Sequence, residues 1–327
     1  MYLRPIVVLV GFTLAIGLAM GCSQNQPVTE TLVESEFAEQ LLAPMNYLGN
    51  IAKQAPDANF QAQGSGVRKA VVQTKLPNGQ SMTLWVYQPD PLPHAKVPCV
   101  FIAPAGTMMI HGLALGDGDT PEHLPWVKAG FAVVAYELSG NADAENASDA
   151  QLKMASEKFR QAKSGLLNAQ VAMAYAREKI PFADARQFFT AGHSSAGTMA
   201  LYVAQMDPQV KGAIAFMPAV DIRASLGIDG ISYVQNAEIV PEAGIYVNQI
   251  SPITHIHRLS QPTFLFIAGD DRPDLTRPAD SFAEKLRELG SDVTVVRVPR
   301  GGHYEPMLDP GIPMAIEWLT MITQYNP

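Results

Sequence analysis

Cysteine is scarce in this chain, with 2 in 327 residues. No disulfide is expected between them. Cys22 lies close to the N-terminus, whereas Cys99 sits in the apolar run VPCVFIAP and reads as a buried, unreactive thiol. Charge is also sparse, at 17% of residues, which fits a chain that buries much of its sheet. The sequence has no basic run and its net charge is −8, which argues against a partner held through a phosphate backbone. Nucleic acid is therefore not an expected ligand, while neutral esters, peptides and glycans remain compatible. A glycine-rich phosphate cradle is missing too, because the GDGD at 116–119 lacks the strand and helix context that such a loop requires. There is no internal repeat. Metal-ligand sets are incomplete: His255 and His257 in THIHRL stand two apart without a third ligand and read as surface residues. Asp117, Asp119, Glu122 and His123 in LGDGDTPEH lack the full spacing of a calcium loop. They read as a helix start, with Asp119 or Thr120 as cap and Pro121 in the first turn. Neither a metal nor a cofactor is expected.

What is present begins with MYLRPIVVLVGFTLAIGLAM, one positive charge at Arg4 followed by an apolar segment. The segment is short for a membrane span and suits the apolar core of a signal peptide. It ends LAMGCSQNQP, where Gly21 precedes Cys22 and a polar run follows. This resembles a bacterial lipoprotein signal, which implies lipidation of Cys22, export, and anchoring at a membrane facing the periplasm or exterior. Ala19 departs from the usual leucine three positions before the cysteine, which leaves an ordinary signal peptide or an uncleaved anchor as alternatives. The expected organisation is a signal at 1–22, a tether at 23–66 with one short amphipathic helix around Glu30–Leu42, and a single domain at 67–327. A domain of that size buries about three quarters of its unfolded surface, and 47% hydrophobic residues suffice to fill it.

Within the domain, strand and helix patterns alternate. VRKAVVQTKL and SMTLWVYQP flank PNGQ, an Asn-Gly hairpin signal. VPCVFIAPAG, FAVVAYEL, VKGAIAFMPAV, PTFLFIAGDD and DVTVVRVP are strand-length apolar runs, several of them continuous as in strands buried on both faces. Helical patterns lie between them, including LLNAQVAMAYA, SAGTMALYVAQM, PADSFAEKLRELG and IPMAIEWLTMITQY, while Asn141–Ser156 reads as a polar stretch. Alternation of this kind predicts parallel βαβ units with right-handed crossovers, and the hairpin adds an antiparallel edge. Residues 221–261 interrupt the alternation with few clear elements. A long insertion in a compact domain is more often functional than idle, so a lid over a site is expected there.

In FFTAGHSSAGTMAL a serine pair stands between a buried strand and a helix. A serine at such a turn adopts a strained backbone conformation that projects its hydroxyl, and its neighbours two before and two after must be small. Ser194 has Gly192 and Ala196 at those positions, whereas Ser195 would have His193 and Gly197. Ser194 is therefore the candidate nucleophile. Ser195 would offer its backbone N–H at the helix start, with its side chain available to cap the helix. A serine needs a base and the base an orienting carboxylate. Asp270 and Asp271 follow PTFLFIAG, and His303 lies in GGHYEP after the last strand. All of these fall at the carboxyl ends of predicted strands, on one edge of the sheet.

The GHSSAG turn, the FLFIAGDD strand end and the GGHYEP loop together resemble the α/β-hydrolase superfamily, in particular small esterases and prolyl-oligopeptidase-type catalytic domains. The resemblance spans about Val67 to Pro327. It implies an α/β fold: a mostly parallel eight-stranded sheet with an antiparallel N-terminal edge, helices on both faces and a small lid. It also implies Ser194 as nucleophile, His303 as base and then acid, and Asp271 as orienter. Asp270 is the alternative acid and Asp221 a third, while Asp274 and Asp280 are assigned to the turn and helix surface. A second oxyanion donor is implied in the loop after VFIAPAG. Where family members often carry His-Gly-Gly, this chain has Pro104-Ala105-Gly106-Thr107, so Gly106 N–H is the expected donor with Thr107 as alternative. His111 and the Met-rich TMMI that precedes it are candidates for the pocket wall. The expected activity is a Ser-His-Asp hydrolase acting on small esters. A peptidase of the prolyl-oligopeptidase type without a propeller, and an inactive surface binding module, are the alternatives.

Overall fold

A computed structural model describes residues 42–64 and 66–325. The signal segment with Cys22, and all but the last residue of the helix expected around Glu30–Leu42, lie outside the described residues. Among the described residues nine strands form one sheet in the order β1-β2-β3-β5-β4-β6-β7-β8-β9. They are β1 Gln61–Ala62, β2 Val67–Lys75, β3 Ser81–Pro89, β4 Val97–Ile102, β5 Ala132–Tyr136, β6 Ala183–His193, β7 Val210–Phe216, β8 Thr263–Ala268 and β9 Val293–Val298. The expected eight strands become nine through the two-residue β1.

β2 and β3 pair antiparallel from Val67↔Pro89 to Lys75↔Ser81, closed by the PNGQ turn with Gly79 at φ +84°. β3 then pairs antiparallel with β5, and every pairing from β5 through β4 to β9 is parallel. The continuous apolar runs explain this layout. All five residues of β5 and all six of β8 are buried, as strands covered by helices on both faces must be. Cys99 in β4 is fully buried, and burial pushes its thiol pKa up.

The α-helices among the described residues are α1 Met45–Gln54, α2 Thr120–Lys128, α3 Asp149–Gln161, α4 Leu166–Lys179, α5 Ser195–Met206, α6 Ile222–Asn236, α7 Ala243–Ile250, α8 Pro273–Glu288 and α9 Ile312–Tyr325. α1 lies ahead of Val67 and buries Leu48 and Ala52. Just beyond it, Pro56 O accepts a hydrogen bond from Tyr175 Oη of α4 at 2.9 Å. The stretch read as polar at Asn141–Ser156 contains the start of α3. That helix presents only Leu152, Ala155, Ser156 and Phe159 to the interior, too thin a stripe to stand out in sequence. Its start signal was nonetheless present: Ser148 and Gln151 form a reciprocal capping box. The 221–261 insertion is ordered as α6, α7 and a 3-10 turn at Pro252–Arg258. His255, expected at the surface, is 4% exposed and its Nε2 meets Gln249 O at 2.7 Å. Ile256 and Leu259 of the same segment are buried with it, and the His255 ring lies 6.5 Å from that of Tyr202. Among the described residues no helix is long and apolar enough to cross a membrane.

Candidate active site

β6 ends at His193 and α5 begins at Ser195, leaving Ser194 between them at φ +52°, ψ −121°. A side chain rarely adopts such a backbone, which costs on the order of 1–3 kcal/mol and persists only where the surroundings hold it. Here Ser194 N donates to Phe216 O of β7 at 2.8 Å, and Thr198 N donates to Ser194 O at 2.9 Å. The turn brings strand and helix into contact. A Cβ on Gly192 would run into the Ala196 backbone, and one on Gly197 would lie 2.9 Å from Gly192 O. The methyl of Ala196 fits because Gly192 has none.

Ser194 Oγ lies 2.9 Å from His303 Nε2, and His303 Nδ1 lies 2.7 Å from Asp271 Oδ2. The Asp271 side chain is 2% exposed. Burial alone would raise its carboxyl pKa, but the bond from His303 and the Arg272 N–H on its Oδ1 at 2.7 Å outweigh that and hold it below the ordinary value. An ionised carboxylate only accepts, so Nδ1 carries the imidazole proton and the Nε2 lone pair faces the Ser194 hydroxyl. Asp270 points elsewhere. Its carboxylate accepts from Gly302 N at 2.9 Å and Gly301 N at 3.1 Å, which lowers its pKa and shapes the loop that carries His303. Asp221 caps α6 through Ala224 N at 3.0 Å. Asp274 sits 3.5 Å from Arg272, and Asp280 pairs with Arg297.

The loop after β4 turns through Gly106 at φ +109°, a conformation that favours glycine. Gly106 N and Thr107 N both donate to Ser195 Oγ, at 3.0 and 3.1 Å. The Gly106 N–H expected to face a reacting carbonyl is thus engaged by a side chain. Ser195, for its part, does not cap α5. Its side chain reaches across to the β4 loop, because that loop supplies two convergent donors.

Sequence reasoning did not single out His193. It is buried, and its Nε2 donates to His303 O at 2.6 Å. Its ring lies 4.6 Å from that of His303 and 5.4 Å from that of Tyr304. Burial first, and the His303 charge second, push its pKa down to about 4, so it is a neutral strut under the His303 loop. The only signal available was the histidine beside the serine pair, and nothing local tells which backbone it meets.

Above Ser194 opens a cavity of about 330 Å³. Met108 and Met109 come from the β4 loop, Ile222 and Leu226 from α6, and Leu275 with Arg272 from the start of α8. Met109 is held from the insertion, since Tyr246 Oη donates to its carbonyl at 3.0 Å. His111 is 2% exposed, binds Gly112 O through Nδ1 at 2.7 Å and stays behind the wall. A larger open cleft, about 780 Å³ and lined by Asn141, Asn146, Gln151 and Lys158, contains none of Ser194, His303 or Asp271. Among the described residues no group of three or more His, Cys, Asp or Glu could hold a metal. An alcohol touching an imidazole lone pair, backed by a buried carboxylate and open to an apolar cavity, is an arrangement able to make that alcohol nucleophilic.

Comparison with known proteins agrees with this fold. The profile of the prolyl oligopeptidase family matches residues 121–312. An acetyl xylan esterase from Paenibacillus sp. R4 shares 18% identity at a TM-score of 0.58, over 84% of this chain and 92% of that one. An esterase from Pyrobaculum calidifontis shares 17% at a TM-score of 0.54, over 90% of this chain and 93% of that one. Oligopeptidase B from Leishmania major shares 15% at a TM-score of 0.57, over 78% of this chain but only 36% of that one. No curated protein sequence matches. At these identities the structural likenesses speak to the fold, and the family profile, which spans more than half of the chain, speaks to descent. The chain belongs to the prolyl oligopeptidase family and is a serine hydrolase of the α/β-hydrolase fold.

Proposed function

We propose that the protein hydrolyses small carboxylic esters through an acyl-enzyme formed on Ser194. The observation that carries this reading is the unbroken chain from Ser194 Oγ through His303 to Asp271 Oδ2, at 2.9 and 2.7 Å. As Ser194 Oγ attacks the carbonyl carbon, its proton passes to His303 Nε2, and the C=O electron pair moves onto oxygen. Collapse of that intermediate expels the alcohol, which takes the proton from His303. Water then repeats the sequence and releases the acid. Asp271 stays ionised and holds the imidazolium. The Met and Leu side chains around the cavity favour a short apolar acyl or alcohol group. The esterases above match this chain across nearly their whole length, which supports an ester substrate.

A second reading, hydrolysis of short peptides, is favoured by the family profile itself and by the likeness to oligopeptidase B. A panel of 4-nitrophenyl esters and dipeptide 4-nitroanilides separates the two: esters only, or esters far faster, is the expected result. A fluorophosphonate probe should label the wild type and not Ser194→Ala. Absence of labelling would defeat the assignment and favour a binding module. Export with a lipid on Cys22 belongs to the same proposal and rests on the Met1–Cys22 sequence. In a bacterial host, Cys22→Ala should move the protein out of the membrane fraction, and an unchanged distribution removes the anchor.

A further inference from the structure

The Ser195 hydroxyl stands where two backbone donors converge, with Gly106 N at 3.0 Å and Thr107 N at 3.1 Å from its Oγ. A hydroxyl has one proton to give and two lone pairs to receive with. Both lone pairs are occupied here, so the remaining capacity of Ser195 Oγ is to donate. Among the described residues no acceptor stands opposite that proton, although the residue is only 5% exposed. Ser195 lines the cavity that holds Ser194 Oγ and His303. Its backbone N–H belongs to the first turn of α5, where N–H groups have no partner within the helix.

We propose that Ser195 is a catalytic residue which binds the oxyanion through its O–H as well as its N–H, so that one residue supplies both donors. This rests on the reading of Ser194 as nucleophile. When Ser194 Oγ bonds to the carbonyl carbon, the displaced electron pair localises on the carbonyl oxygen, and Ser195 O–H hydrogen-bonds to it. No proton leaves Ser195. The only proton transferred is that of Ser194, to His303. The Gly106 and Thr107 N–H groups act through Ser195: by drawing density from Oγ they polarise its O–H and make it a stronger donor. They also fix its rotamer, so the donor is in place before charge develops, which is the condition under which such groups are worth most.

The alternative is that Ser195 only plugs the β4 loop, and that its removal frees Gly106 and Thr107 to bind the oxyanion themselves. The test measures Ser195→Ala and Ser195→Thr with 4-nitrophenyl butyrate, and inhibition by a trifluoromethyl ketone against its parent methyl ketone. The fluorinated ketone forms an oxyanion on the serine and the parent largely does not. Ser195→Ala should lose about 10²-fold in kcat with little change in KM, the loss typical of removing one such donor. Inhibition by the trifluoromethyl ketone should weaken by a similar factor and that by the methyl ketone should hold. Ser195→Thr, which keeps the hydroxyl, should recover most of the rate. Wild-type kcat in Ser195→Ala, or equal weakening of both ketones, overturns the proposal. Fluorophosphonate labelling of the wild type separates the two levels: labelling with the wrong ketone pattern removes the donor alone, whereas no labelling removes the nucleophile and the donor with it.

Discussion

Among the described residues, two groups of wholly or partly buried polar side chains behave in opposite ways. At the carboxyl ends of the strands, Ser194, His303 and Asp271 are joined by hydrogen bonds of 2.9 and 2.7 Å. At the start of α2, Asp119, Glu122 and His123 gather beside Lys69, Trp85 and Tyr87 of the hairpin. His123 is 1% exposed, reaches Tyr87 Oη at 3.3 Å, and leaves Nε2 without a hydrogen-bond partner among the described residues. Lys69 Nζ lies 3.0 Å above the Trp85 ring centre. Burial, then the Lys69 charge, pushes His123 down to about 3, and burial, then Asp119, pushes Glu122 up to about 7. In the first group partners overcome burial and keep Asp271 ionised. In the second, burial wins and removes charge from His123. Perturbed titration marks both places, but only the first connects its groups to an alcohol and a cavity.

The comparison breaks most sharply at Ser194. Ser194→Ala should lower kcat by on the order of 10⁶-fold, measured by ester turnover, while every substitution at His123 leaves the fluorophosphonate label in place. Next comes the aspartate pair. Asp271→Asn should cost on the order of 10⁴-fold in kcat, because an amide no longer fixes the Nδ1 proton. Asp270→Asn should cost far less, since it only loosens the turn at Gly301 and Gly302. A reversed ranking would shift the acid to Asp270.

The third prediction concerns stability. The folded chain holds the Glu122 proton up to about 7 against an ordinary 4.5. Between those values it binds more protons than the unfolded chain, so wild-type stability falls as pH rises through that window, by about 3 kcal/mol in full. Glu122→Gln removes that slope. Its urea midpoint should match the wild type near the lower limit and exceed it above neutrality, with turnover preserved. Equal midpoints at both ends would mean that Glu122 finds a partner after all. The smallest effect is expected at His193, where replacement by Phe should lower kcat about tenfold by loosening the His303 loop, equivalent to one lost hydrogen bond of ~1–1.5 kcal/mol. KM should be unchanged, and His193→Gln, which can still donate to His303 O, should recover part of the rate.

Much of the architecture was legible because it depends on local periodicity. The continuous apolar runs at β5 and β8 announce strands covered on both faces, and PNGQ announces the hairpin. α3 escaped because four buried positions among thirteen residues do not outweigh a polar composition, although its Ser148–Gln151 box was readable. The insertion escaped for a related reason: Gly227 at φ +68° breaks the periodicity of α6. Within the site, small residues at 192 and 196 pick out Ser194 from the sequence alone, since the constraint is steric and lies within five residues. The choice between adjacent aspartates has no such local cause.

The alternation of the core strands with helices, the serine at the sharp turn, and the arrival of an aspartate and a histidine on the same rim follow from the sequence by itself, because each depends on short-range sterics or on strand polarity. The direction of each polar contact was decided only in the tertiary structure. Asp271 meets His303 while Asp270 meets the Gly301–Gly302 turn, and Ser195 reaches the β4 loop instead of capping its own helix. Those choices depend on distant loops, with glycines at positive φ at 106, 301 and 302, arriving at hydrogen-bonding distance across the sheet, and chain spacing carries no information about that distance.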